Sequence, residues 1–239
     1  MIKKIFEKIT GRYLERAIIN QNRELIWAHV YHDSIRGKDW LMGLPLNIGR
    51  WAGNYSFFYV LNRILSDYEP KQILEFGLGE SSKLTSTHLE NSLLDSTHDI
   101  VEHDEDWRNS FTKRFQLSKR TSVHILELQQ KNVRGYKTNG YKGIQEFIKT
   151  KYDLYIIDGP FGSDKYSRYD IVHLAKEFST QDEFIILFDD YDRRGEQQTF
   201  NAIIKLLKQK EIQVAIHFYV GVKTVAVIGT NKYKSVINL

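Results

Sequence analysis

The chain has 239 residues, enough for one large α/β domain with an elaborated end and too few for two full ones. Hydrophobic residues make up 41% of it and aromatics 13%, so a packed core is expected. Its formal charge of +4 comes with no dense Lys/Arg block, which argues against a nucleic-acid partner, and the absence of cysteine excludes disulfides, thiolate zinc sites and cysteine nucleophiles.

Residues 1–35 read as helix. Ile2, Ile5, Phe6 and Ile9 are spaced helically rather than gathered into a signal-peptide core, and Tyr13, Leu14, Ala17, Ile18, Leu25 and Ile26 extend amphipathic faces. Lys3, Lys4, Lys8, Arg12 and Arg16 outnumber Glu7 and Glu15, which reads as a solvated basic face. No apolar stretch approaches the roughly 20 residues that span a bilayer, so a cytoplasmic protein is expected. In residues 36–55, Gly37, Gly43, Pro45, Gly49 and Gly53 break regular structure, while Trp40, Trp51 and Tyr55 add aromatic surface. Within it Trp40–Tyr55, with Asn47 and Arg50, is a candidate lid; the alternative is an N-terminal packing arm. A helix over about 56–67 then precedes the first strand.

From residue 73 the rhythm is strand, helix, strand. The predicted strands are Ile73–Phe76, Asp99–Glu102, Val123–Glu127, Leu154–Asp158, Phe184–Asp189, Gln213–Phe218 and Thr224–Ile228. Helical patterns at Ser82–Glu90, Glu105–Phe115, Ile144–Thr150, Arg168–Phe178 and Gln197–Gln209 separate most of them. Such alternation predicts a doubly wound, mostly parallel seven-stranded sheet. The last two strands are joined by too few residues for a parallel crossover, so they must form an antiparallel hairpin.

The first strand runs into Glu75-Phe-Gly77-Leu-Gly79-Glu-Ser81-Ser82, a strand, a glycine turn and a helix start. Gly77 and Gly79 let backbone approach a ligand, and the helix start offers unpaired N–H groups. An acid at Glu75 suits a cationic amino-acid ligand better than a pyrophosphate, which points to S-adenosylmethionine (SAM) rather than NAD. A dinucleotide fingerprint would also want glycine where Ser82 stands. Further acids close the other strands: Glu102, Glu127, Asp158 and Asp189-Asp190. Ligands of open parallel sheets sit at these carboxyl ends, and buried carboxylates there need a hydrogen bond, a cation or water. Glu102 can accept both hydroxyls of a ribose; the alternative is that the acids around it cap the next helix, a role that suits Asp104. Glu127 can hold an adenine amino group or be an exposed loop acid.

Together, Glu-x-Gly-x-Gly-x-Ser, Glu102 and the terminal hairpin resemble the class I SAM-dependent methyltransferases over about residues 56–239. The resemblance implies a Rossmann-like domain over 56–239 with sheet order 3-2-1-4-5-7-6 and strand 7 antiparallel, preceded by a helical extension over 1–55. It implies that the glycine loop, with Ser81 and Ser82, holds the methionine part of SAM, and that Glu102 holds the ribose. Asp158 in Tyr155-Ile-Ile-Asp158-Gly-Pro160 and Asp189-Asp190 converge on adjacent strand ends, a hard oxygen set suited to Mg²⁺, Mn²⁺ or Ca²⁺. This is similar to the catechol-type metal-dependent O-methyltransferases, and the Ile-Asp-Gly-Pro signature is similar to sugar O-methyltransferases, including those of plant xylan. The resemblance implies a metal acting as Lewis acid on the acceptor hydroxyl. The alternative for Asp189-Asp190 is a βα-turn with an N-cap. One departure concerns the base: the catechol-type family carries a lysine a few residues after its strand-4 acid, whereas here the nearest is Lys165, seven residues on, with Tyr166 and Arg168 close by.

The expected function is therefore a SAM-dependent O-methyltransferase, divalent-metal-assisted, acting on a sugar, a glycan or another polyhydroxylated small molecule. Asp158-Gly-Pro160-Phe161 in place of Asn/Asp-Pro-Pro-Tyr/Phe disfavours nucleobase methylation, and no HxH, HExxH or GxSxG array is present. Two rivals stand beside it. Phe188-Asp-Asp190-Tyr-Asp192 also spells a glycosyltransferase DxD motif, and the chain could be a non-catalytic SAM-fold module. Residues 1–35 are the candidate surface for a partner or a homodimer.

Overall fold

Short β-branched and aromatic runs form nine strands: β1 (Gln72–Phe76), β2 (Thr97–Glu102), β3 (Thr121–Ile125), β4 (Leu128–Val133), β5 (Tyr136–Tyr141), β6 (Leu154–Ile157), β7 (Ile185–Phe188), β8 (Val214–Val220) and β9 (Thr224–Thr230). The computed structural model describes residues 2–239, without the side chains of residues 2–10, 12, 13 and 16. The expected basic face at Lys3, Lys4, Lys8, Arg12 and Arg16, and the apolar set Ile2, Ile5, Phe6, Ile9 and Tyr13, lie outside those described side chains.

Seven strands make one sheet in the order β3-β2-β1-β6-β7-β9-β8, and β4 with β5 makes a separate two-stranded ribbon. With the ribbon set aside, this is the expected order 3-2-1-4-5-7-6. β9 runs antiparallel to both β7 and β8, closing the sheet with the hairpin that the short Gly221 connection requires.

Alternation along the strands feeds two cores. Ile73, Leu154, Ile156, Ile185, Leu187, Val225 and Val227 face one side, and Leu74, Phe76, Tyr155, Ile157, Ile186, Phe188, Ala226 and Ile228 face the other. Each such Val, Leu, Ile or Phe side chain removed from water contributes about 1.5–3 kcal/mol. The first side is covered by α1 (Ile2–Ile35), α2 (Asp39–Met42), α3 (Tyr55–Asp67) and α4 (Glu80–Asn91), through Tyr31, Leu41, Phe58 and Leu84. α5 (Glu105–Arg114) packs Phe111 on Leu78 and Ile100. The second side is covered by α6 (Ile144–Phe147), α7 (Asp170–Ala175) and α8 (Arg194–Gln209), and a 3-10 segment, Asn231–Asn238, ends the chain.

Glu24 of α1 stitches distant parts together. Its carboxylate accepts Tyr55 N at 2.7 Å, Asn54 Nδ2 at 2.9 Å and Val222 N at 3.1 Å. The N-terminal helix thereby fixes the start of α3 and the β8–β9 turn that carries Lys223. Among the described residues no helix is long and apolar enough to cross a membrane.

Two differences from the sequence expectation have physical causes. The β4–β5 ribbon was hidden because Gln129, Gln130, Lys131 and Asn132 leave β4 without apolar alternation. Its tight turn uses Arg134 and Gly135, both at positive φ (51° and 85°), as a two-residue hairpin demands. The helix predicted from Arg168 begins instead at Asp170, because Arg168 sits at φ 58° and turns its side chain under the sheet end.

His88 makes the α3–α4 contact pH-sensitive. It is buried, with Nε2 3.0 Å from Asn62 Oδ1, Nδ1 3.0 Å from Ser92 Oγ, and Trp40 edge-on at 5.0 Å. Burial, helped by Lys38, pushes its pKa down to about 3. The unfolded chain takes up that proton near pH 6.5 and the folded one does not, so this contribution is complete above about pH 6.5 and is lost as pH falls towards 3. The expected slope from this one group is about 1.4 kcal/mol per pH unit. Urea denaturation of the protein and of His88→Gln across this window checks it: the variant should lose the slope.

Candidate cofactor and acceptor site

β1 ends at Phe76, and the chain must turn at once into α4. Gly77 makes the turn at φ 93°, where a Cβ would lie 3.4 Å from the Gly159 backbone. A Cβ on Gly79 would meet nothing within 4 Å, so the turn opens onto empty space. Ser82 caps α4 by accepting Gly79 N at 3.0 Å. Glu75 braces the turn from beneath: Ser81 Oγ donates to its Oε1 at 2.5 Å, and His98 Nε2 lies 2.9 Å from its Oε2.

At the end of β2, Glu102 gathers backbone donors. Its Oε2 accepts Leu78 N at 2.9 Å, and its Oε1 accepts His103 N at 2.6 Å and Asp104 N at 2.9 Å. Asp104 caps α5 through Trp107 N at 2.8 Å, and the Trp107 indole donates to Leu78 O at 2.7 Å. The two turns are thus tied into one wall.

That wall bounds a cleft of about 850 Å³ at the carboxyl ends of β1, β2, β6 and β7. Gly77–Ser81, Glu102–Asp104 and Trp107 line one part of it, and Asp158–Gly162, Arg168, Asp190 and Arg193 another. Tyr141 from β5 forms part of its wall, with a buried hydroxyl that has no partner. Asn47–Gly53 reach across from the N-terminal segment, tethered where Asn47 N donates to Glu80 Oε2 at 2.9 Å. His103 meets Phe161 edge-on at 4.8 Å, and Trp51 is 94% exposed.

No protein-family model matches the chain, and no curated protein matches it in sequence. Solved structures do match in three dimensions. A SAH-bound O-methyltransferase from Bacillus cereus superposes with a TM-score of 0.52 at 14% identity, covering 85% of this chain and 91% of that one. The O-methyltransferase of tomaymycin synthesis from Streptomyces achromogenes, in complex with SAM, gives 0.50 at 12% identity over 84% and 89%. A SAH-bound methyltransferase from Podospora anserina gives 0.50 at 13% over 94% and 96%.

The fold is that of the SAM-dependent O-methyltransferases. In this frame, the first part of the cleft has the chemistry to hold SAM: Gly77 makes the turn, Gly79 leaves room for a ligand, Glu102 walls it, and Glu80, Glu102 and Asp104 give it the negative sign a sulfonium wants.

The structure separates the other sequence-derived candidates. Ser81 lines the cleft, whereas Glu75 and Ser82 lie under the turn. Glu127 is 78% exposed and pairs with Lys142 at 3.2 Å, outside the cleft lining. Lys165 stacks its ammonium on Tyr136 at 5.6 Å and does not line the cleft. Asp192 accepts Thr224 Oγ1 at 2.8 Å at the start of β9, so Asp190 and Asp192 do not form a paired DxD site.

Asp158, Asp189 and Asp190 do converge, each offering an oxygen within 4.8 Å of the others. Yet cations already occupy them. Arg168 Nη2 lies 2.8 Å from Asp190 Oδ2 and 3.2 Å from Asp158 Oδ1, and its Nη1 donates to Asp189 O at 3.1 Å and Ile157 O at 3.2 Å. Asp190 also meets Arg193 Nη1 at 3.0 Å and Lys223 Nζ at 3.1 Å. Asp189 is fully buried, both its oxygens lack hydrogen bonds, and Lys223 is 3.6 Å away. A divalent ion among these groups would be repelled by each neighbouring cation by about 4 kcal/mol per unit of its charge at 4 Å. The donor set therefore does not fit a metal unless the cations leave.

The same field splits the carboxyls. Burial, reinforced by Asp189, pushes Asp158 well above the ordinary range against the pull of Arg168. Burial and Asp190 likewise raise Asp189. For Asp190, burial is outweighed by Arg168, Lys223 and Arg193, which hold it below the usual range. Sequence reasoning named Arg168 only as a neighbour of the unassigned base, not as a partner of the acids, and missed Arg193, Lys223, Tyr141 and Trp107. Its own demand that clustered strand-end acids have cations was the signal, but nothing in the linear order said which cations.

Proposed function

We propose that this protein is a SAM-dependent O-methyltransferase acting on a hydroxyl of a sugar, a glycan or another polyhydroxylated small molecule. The observation that carries the reading is the single cleft that joins a glycine turn and Glu102 to Asp158, the most exposed carboxylate of the acid cluster (23%); Glu102 is the candidate ribose ligand. SAM held in the cleft would supply a sulfonium methyl to the acceptor oxygen, with the thioether sulfur as the leaving group that keeps the carbon–sulfur electron pair. Asp158 accepts the acceptor's hydroxyl proton and later releases it to water. Tyr141 O–H is a free donor for a ligand oxygen. Trp51, Phe161 and His103 offer apolar faces for a sugar ring, and residues 47–53 act as the lid. Positioning within the closed cleft supplies much of the rate.

Exposed Leu14, Ile18, Leu25 and Ile26 on α1 support a homodimer contact through residues 1–35. The glycosyltransferase rival loses its motif geometry at Asp192.

Titration calorimetry with S-adenosylhomocysteine (SAH) tests the reading. The protein should bind it, and Glu102→Ala should weaken binding by roughly 1–3 kcal/mol, the scale of lost charged hydrogen bonds. No binding by the parent protein, or an unchanged affinity in a folded Glu102→Ala, would sink the assignment.

A further inference from the structure

The acid cluster holds a set of charges that the resemblance to metal-dependent enzymes did not foresee. Four buried or half-buried carboxylates, Asp158, Asp189, Asp190 and Glu196, face the cations Arg168, Arg193 and Lys223. We propose that this cluster works without a divalent ion, and that the Arg168 guanidinium takes the place an ion bridging Asp158 and Asp190 would occupy. The proposal rests on the methyltransferase reading and specifies how its acceptor site is held.

Three observations support it. First, Arg168 is locked. It is 3% exposed, and its two terminal nitrogens donate both to carboxylates and to the backbone carbonyls that end β6 and β7. A guanidinium with this many fixed partners is not a side chain that swings aside for an ion. Second, both oxygens of Asp190 already meet cations, Oδ2 those of Arg168 and Arg193 and Oδ1 that of Lys223. An ion bridging Asp158 and Asp190 through Oδ2 would compete with both guanidiniums, and one on Oδ1 would compete with the Lys223 ammonium. Third, the backbone is shaped for the arginine. Arg168 adopts φ 58°, a left-handed conformation that is unfavourable for a residue with a side chain and persists where surrounding contacts hold it, and α7 begins only at Asp170.

Arg168 is accordingly a positioning residue. Its Nη2 holds Asp158 Oδ1, in a residue that lines the cleft, and Asp158 Oδ2 is left as the proton acceptor. When the acceptor O–H bond breaks, its electron pair stays on oxygen and the proton goes to Asp158, so no ion is needed to hold a second hydroxyl.

Mn²⁺ is the probe, read by the loss of its free paramagnetic resonance signal on adding protein. With Mn²⁺ up to about 1 mM, the weak end of protein oxygen sites, the parent protein should leave the signal unchanged. Arg168→Gln, once shown folded by circular dichroism, should capture Mn²⁺, because it keeps the acids and removes the guanidinium; a merely structural arginine would not move this readout. Capture of one ion per chain by the parent protein, abolished in Asp158→Asn, would overturn the proposal, as would a folded Arg168→Gln that binds none. If Arg168→Gln does not fold, the parent titration decides alone. SAH calorimetry on the same sample keeps the two ideas apart: absent SAH binding removes the methyltransferase reading, whereas Mn²⁺ capture beside intact SAH binding removes only this one.

Discussion

Arg168→Leu should cost the protein about 3–5 kcal/mol of stability, the loss measured when one partner of a buried ion pair is removed and the other stays. Typical domains have only about 5–15 kcal/mol in hand, so the variant sits close to unfolding. The loss comes from stranded carboxylates: Asp158 and Asp190 lose their shared donor, and Asp189 gains nothing, since its own oxygens are already unpaired. The pH dependence identifies the cause. Asp158 and Asp189 already sit above the ordinary range with the guanidinium present; without it they rise further and Asp190 loses one of the cations that hold it down, so the penalty relative to the parent grows as pH rises through these pKa values. Urea denaturation of variant and parent at matched pH should therefore show a gap that narrows on acidification. A gap that is flat with pH would point to lost packing instead. Adding Asp190→Asn should recover part of the loss, with a coupling energy distinguishable from additivity.

Most of the frame was legible in the sequence because it rests on local periodicity. Seven apolar runs of strand length, helices between them and a connection too short to cross over indicated a mostly parallel sheet with an antiparallel end, and the family resemblance supplied the strand order. What was not legible depends on groups distant in the chain. The ribbon at Leu128–Tyr141 breaks the alternation rule, since polar residues occupy both its faces and only Arg134-Gly135 mark it. The cation partners of the acid cluster come from three places: the segment before α7, the start of α8 and the β8–β9 turn. Composition announces that such partners exist, but only the fold selects Arg168 and Lys223 over other basic residues. The glycine turn was readable for a different reason, as strand, turn and cap are contiguous from Ile73 to Ser82. Even so, the burial of Glu75 against His98, on the neighbouring strand, needed the sheet register that pairs β1 with β2.

Asp158→Asn should lower methyl transfer by roughly 10²–10⁴-fold, the range for removing a general base, while leaving SAH affinity unchanged. The substitution is nearly isosteric, and the amide oxygen can still accept Arg168 Nη2, so the cluster stays tied to β6 and β7. What vanishes is the capacity to take a proton. In the parent protein that capacity should appear as a rate that climbs with pH through the Asp158 pKa, which burial and Asp189 lift above the ordinary carboxylate range; below it the carboxyl is already protonated and cannot act. The variant should lose this limb and run at a low rate that no longer follows it. Methyl incorporation from radiolabelled SAM into a panel of hydroxylated acceptors, followed across pH with the best of them, is the measurement. A folded Asp158→Asn that keeps the full rate and the rising limb would remove Asp158 from the reaction. The proton would then have to leave through another group of the cleft, and Tyr141 is poorly suited, because burial and the Glu102 charge push its phenol well above its ordinary value.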